Sequence, residues 1–112
     1  MGIADQSALA EAMNRLWAQF RPQIEERIAI LESAAVALSQ GALSAAQCEE
    51  ACAAAHNLAG VLGTFGLEEG TVRAREAEAF YANGHALSVP RTGQPTAIAA
   101  DLRAILSTRK TV

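Results

Sequence analysis

Ile24, Ile28, Leu31, Ala35 and Leu38 recur at steps of three and four along a glycine-free stretch, a spacing that an α-helix turns into one continuous apolar stripe. The same period returns in later segments, and no alternating strand pattern competes with it. Hydrophobic residues make up 51% of the chain but aromatic ones only 4%. Alanine fills much of the difference, a composition suited to helices packed closely together. The expected class is all-α.

Local punctuation divides the chain. Ser7 is placed to cap a helix with apolar positions Leu9, Met13, Leu16, Trp17 and Phe20, and Pro22 stands where a new helix could start. Two helices, or one with a bend, fit this stretch. The stripe from Ile24 then runs to Gln40, and Gly41 supplies a stop. Ser44 opens the next helix with Gln47 in capping-box spacing, and Gly66 ends it. Leu67 to Asn83 forms a further segment with Leu67, Ala74, Ala77 and Tyr81 inward, closed by Gly84. Residues 84–95 read as the longest connection, after which Pro95 or Thr96 begins a last helix with Ile98, Leu102 and Ile105 facing the core. Short links favour antiparallel neighbours. The expectation is an antiparallel up-and-down four-helix bundle with an additional N-terminal helical segment, one domain over residues 1–112.

Charge and hydropathy exclude several classes. A net charge of −3 with scattered Lys and Arg leaves no basic field for a phosphate backbone, so nucleic acid is not an expected partner. No apolar run reaches the roughly 18 residues of a membrane span. Met1 to Phe20 is amphipathic rather than signal-like. A soluble, cytoplasmic, monomeric protein is expected. Cys48 and Cys52 lie four apart on one helix, which disfavours a disulfide and implies reduced thiols. With His56 they form a stripe, but Cys48 and His56 are separated by about 12 Å of helix rise, so one metal ion could be held by two of the three at most. No metal is expected.

His56 is the residue that invites chemistry. At about 100° per residue, Gln47, Ala51, Ala54, Leu58, Val61, Leu62 and Phe65 gather on one face, with His56 nearly opposite. Its expected surface neighbours Cys52, Ala53, Ala59, Gly60 and Gly63 are all small, so another macromolecule could approach the imidazole closely. An imidazole in water is an available nucleophile near neutral pH. The other conspicuous residues have plainer readings. His85 lies at a helix end, where imidazolium suits the dipole. Trp17, Phe20, Phe65, Phe80 and Tyr81 read as packing, and Glu25, Glu26, Glu68, Glu69, Glu76 and Glu78 as solvated helix faces.

The segment from Ala55 to Leu67 carries His-x-Leu-x-Gly at His56, Leu58 and Gly60 and ends in Phe65-Gly66; Ala74-Arg75-Glu76-Ala77-Glu78 follows on the next helix. It resembles the histidine-containing phosphotransfer (HPt) domain of bacterial two-component phosphorelays. Similar His-x-Leu-Ala-Gly variants occur, by the same resemblance, in domains attached to receivers and diguanylate cyclases. The resemblance implies that His56 is a phosphoacceptor exchanging with the aspartate of a response-regulator receiver domain. Cys52, Ala53, Ala59, Gly60 and Gly63 would form the partner-binding surface. A sensor histidine kinase or an attached diguanylate cyclase module would be a further partner. It also implies no cofactor of its own, with Mg²⁺ held in the receiver. No Walker loop or kinase glycine-rich loop is present, so ATP-dependent self-phosphorylation is not expected. One position departs from the pattern: Ala59 stands where many members have lysine, and Arg73 or Arg75 could supply that charge from the next helix. Two rival readings are an unphosphorylated adaptor that docks a receiver or helix, and a relative of the dimerising part of a histidine kinase. Against the latter, Asn57 follows His56 where a kinase has an acidic residue.

Overall fold

A computed structural model describes residues 3–88 and 93–109. Its first helix, α1, runs over Ile3–Ser39 without interruption, so the stretch before Pro22 and the stripe after it are one element. Pro22 is exposed, while Trp17, Ile24 and Ile28 on the inner side are buried. The prolyl ring and the hydrogen bond it removes therefore fall on the solvent side, and packing holds the two halves together. The helix starts before Ser7, which is not its cap. Leu9 and Leu16, expected to pack, are 65% and 41% exposed. Thirty-seven helical residues span about 55 Å, and the early turns extend past the ends of shorter partners, whose Phe65 and Arg109 meet Trp17.

Three more long helices follow: α2 (Ala45–Thr64), α3 (Glu68–Tyr81) and α5 (Gln94–Thr108). The α2 start is the capping box that the sequence spells, with Gln47 N donating to Ser44 Oγ at 3.1 Å and Ser44 N donating to Gln47 Oε1 at 3.2 Å. Its end needs Gly66. At φ 71° this residue lets its own N–H reach Gly63 O at 3.1 Å and Leu67 N reach Leu62 O at 2.9 Å, the paired bonds of a Schellman stop. Gly41 ends α1 in the same way.

The connection expected over 84–95 is partly helical. α3 ends at Tyr81, a 3₁₀ turn covers Ala82–Gly84, and a one-turn helix α4 spans His85–Ser88. Buried Ala86 ties that turn to the core. Residues 89–92 of the connection, like the terminal residues 110–112, lie outside the described residues. In α5 the inward stripe is Ile98, Leu102 and Leu106; Ile105, expected there, is only half-buried.

α2 packs on both α1 and α3, and α5 closes the ring by packing on α3 and α1. With the short α1–α2 and α2–α3 links this is an antiparallel four-helix bundle, all-α among the described residues. The α2–α3 seam is lined by Ala51, Ala55, Ala59, Ala74 and Ala77, all buried. Gly70 extends it, since a Cβ there would stand 3.0 Å from Leu62 Cδ1.

Candidate functional site

His56 lies in the middle of α2, and 72% of its side-chain surface is exposed. The imidazole is not loose. Its Nδ1 is 2.8 Å from Glu78 Oε2, one carboxylate oxygen brought across from α3. Glu78 was expected to be a solvated helix face; instead its side chain is only 33% exposed and is engaged with the ring. A carboxylate can only accept, so Nδ1 carries the shared proton and, in the neutral ring, Nε2 keeps its lone pair. Among the described residues no protein group occupies Nε2.

The register that brings Glu78 to His56 is fixed by contacts on both sides of the pair. Cys48 Sγ donates to Tyr81 O at 3.1 Å and Cys52 Sγ to Glu78 O at 3.6 Å, while Thr71 Oγ1 reaches Ala59 O at 3.5 Å. Burial pushes both thiols above their ordinary range, and nearby carboxylates add to this at Glu49 for Cys48 and Glu78 for Cys52. The cysteines are thus protonated donors that join α2 to α3, reduced and unpaired with each other.

Of the five small residues expected around the histidine, Ala53, Gly60 and Gly63 are exposed. Cys52 is half-buried, and Ala59 is only 8% exposed, which corrects its expected position on the open surface. The cause is that α2 has two helical neighbours rather than one. They cover a wider arc than the apolar half of the wheel, and the strip of exposed α2 residues immediately around His56 is Ala53, Asn57, Gly60 and Gly63. Gly60 faces open space, with nothing within 4 Å of a Cβ built on it. At Gly63 a Cβ would meet only Thr71 Oγ1 at 3.6 Å.

Two recesses flank the imidazole. One, of ≈ 740 Å³, runs toward the α3–α4 end past Cys52, Ala53, Tyr81 and Leu87. The other, of ≈ 480 Å³, is lined by His56, Ala59, Gly60, Arg75 and Glu78. Arg73, the alternative source of charge, is instead held by Glu76 at 3.1 Å and by Asp101 of α5 at 3.3 Å. His85 sits edge-on to Phe80, 6.0 Å between ring centres, away from the strip.

Residues 15–108 match the family model of the Hpt domain. The chain belongs to the Hpt domain family. No curated protein and no solved structure matches it. Hpt domains are phosphotransfer carriers of two-component signalling and not kinases, and they interact with receiver and kinase domains. No helix of this Hpt domain, among the described residues, is long and apolar enough to cross a membrane.

Glu78 is the residue beside His56 that the sequence reading missed, and of the two arginines it left open, Arg75 is the one that borders the histidine's recess. A signal for them existed. Once Ala74 and Ala77 are recognised as the face of α3 that meets α2, each residue that follows them stands at the edge of that seam, and those residues are Arg75 and Glu78.

Proposed function

We propose that the chain is a phosphorelay carrier that accepts and donates a phosphoryl group at His56, in exchange with the aspartate of a response-regulator receiver domain. The observation that carries this reading is an exposed imidazole whose Nδ1 is held by Glu78 at 2.8 Å, leaving Nε2 directed away from its anchor. The Nε2 lone pair attacks the phosphorus of the aspartyl phosphate. The N–P bond forms as the P–O bond to the aspartate breaks, and the electron pair departs with the carboxylate. The ring becomes a phosphoimidazolium that keeps its Nδ1 proton, and the Glu78 carboxylate offsets the new positive charge. The return step reverses each movement.

Glu78 acts as a positioning residue: it selects the tautomer and fixes the ring, so that encounter with the receiver does not begin with a rotamer search. The receiver supplies the acidic pocket for Mg²⁺, because loose phosphoryl transfer depends on positioning and charge neutralisation from both sides. No cofactor is assigned to the chain itself. The exposed strip of Ala53, Gly60 and Gly63 leaves room for the receiver to come close.

The test is radiolabel transfer from phosphorylated receivers to the wild-type chain, His56→Gln and His85→Gln. Acid-labile, alkali-stable label on the wild type and on His85→Gln, with none on His56→Gln, is the expected result. Receiver binding without any label would favour the adaptor reading, and label on His56→Gln would remove His56 from the role.

A further inference from the structure

Arg73 and Arg75 lie two residues apart on α3, about 200° around the helix, and therefore face opposite ways. Arg73 turns toward α5. Its guanidinium is bound to Glu76 and Asp101, and the hydrogen bond to Glu76, followed by that residue's charge, raises its pKa. Arg75 is exposed and turns toward α2. The one acid a helical turn away from it is Glu78, and that carboxylate is occupied by His56 Nδ1 at 2.8 Å. Arg75 makes no ion pair among the described residues, a guanidinium left open beside a nucleophile.

The recess it borders has the form that an anion in transit would need. Arg75 is the one Lys or Arg among its lining residues His56, Ala59, Gly60, Arg75 and Glu78. Ala59 and Gly60 leave the floor clear, with nothing within 4 Å of a Cβ at Gly60. α3 comes near enough for Thr71 Oγ1 to approach Ala59 O at 3.5 Å, which brings the next turn, and Arg75 with it, against the histidine. A phosphoryl group arriving at Nε2 brings up to two negative charges to a site whose nearest carboxylate, Glu78, repels it. A planar guanidinium can meet two phosphoryl oxygens at once, in a fixed fork.

We infer that Arg75 is the phosphoryl-binding catalytic residue of this site, holding the oxygens of the group as it moves to and from His56 Nε2. Arg75 exchanges no proton; the bonds made and broken remain N–P and P–O, and the arginine neutralises charge that builds on the oxygens during transfer. The inference rests on the carrier reading of His56.

Its test uses the full chain and phosphoramidate, a small donor that needs no docking surface, beside a phosphorylated receiver. Arg75→Gln should slow phosphorylation of His56 about tenfold with both donors, the size of one exposed charge-assisted hydrogen bond. Arg75→Lys should recover part of the rate, and Arg73→Gln should react with phosphoramidate as the wild type does. Wild-type reactivity of Arg75→Gln toward phosphoramidate overturns the inference, even if receiver transfer falls, because the arginine would then recognise the partner and not the phosphoryl group. A wild-type chain that takes no label at His56 overturns the carrier reading and this inference together; normal wild-type labelling with an indifferent Arg75→Gln overturns this inference alone.

Discussion

The buried and exposed sides of α2 use the same kinds of small residue for opposite ends. On the buried side Cys48, Ala51, Ala55 and Ala59 are at most 8% exposed, and small side chains there let α3 approach closely. On the exposed side Ala53, Gly60 and Gly63 surround His56 and support little or nothing. Two glycines show the contrast: a Cβ on Gly70 of α3 would press on Leu62 at 3.0 Å, whereas a Cβ on Gly60 would touch nothing within 4 Å. Smallness that serves packing is paid for in stability when it is lost. Smallness that faces solvent should matter only when a partner arrives.

The largest separation of the two sides should come from Leu58, a fully buried neighbour of the exposed strip. Leu58→Ala should cost about 2–5 kcal/mol of unfolding free energy, read by urea titration of the fluorescence of Trp17, the single tryptophan. The fraction that stays folded should still transfer phosphate. A transfer defect larger than the loss of folded protein would break the distinction.

The pair Gly70→Leu and Gly60→Leu sharpens it. Overpacking at Gly70 should destabilise by about 1–3 kcal/mol. Gly60→Leu should leave unfolding nearly unchanged and, on the proposed carrier reading, slow receiver-to-His56 transfer, since the added side chain stands in the open space beside the histidine. Equal transfer rates for Gly60→Leu and wild type would show that the docking surface lies elsewhere. A smaller effect of opposite sign is expected from Gly60→Ala, which should stabilise the fold by roughly 0.8–1 kcal/mol because an interior helical glycine is replaced without a clash. Thermal unfolding checks this directly.

A pH-dependent effect, silent near neutral pH, concerns Tyr81, the single tyrosine, which is buried against the Cys48 side of α2. Burial, and secondarily Cys48, raises its pKa from the ordinary 10.0 to about 12. The fold therefore favours the neutral phenol: its contribution to stability is intact below pH 10 and is lost as the pH rises toward 12. Absorbance at the tyrosinate band should appear near pH 12 in the folded protein, and ionisation near 10 would show that the ring is open to water.

Features set by a few adjacent residues were legible in the sequence. Ser44 with Gln47, Gly41 and Gly66 mark helix ends through local hydrogen bonds, and the structure has each of them. The outward direction of His56 follows from helical geometry alone. What depends on neighbours across space was not legible. Pro22 does not break α1 because packing on its inner side outweighs a local preference, and Ala59 is covered because α2 has two partners, which a one-helix wheel does not contain. Glu78 lies 22 residues from His56. Its meeting with the ring depends on the α2–α3 register, which is set by Cys48, Cys52 and Thr71 reaching carbonyls of the neighbouring helix or, for Thr71, of Ala59.

The central claim is that His56 Nε2 is the nucleophile because Glu78 holds Nδ1. Nitrogen–phosphorus coupling in NMR spectra of the ¹⁵N-labelled chain, after exchange with a phosphorylated receiver, tests it most directly. The account predicts a single phosphohistidine, at His56, with phosphorus bonded to Nε2 and a proton retained on Nδ1. Phosphorus on Nδ1, or on any residue other than His56, would contradict it.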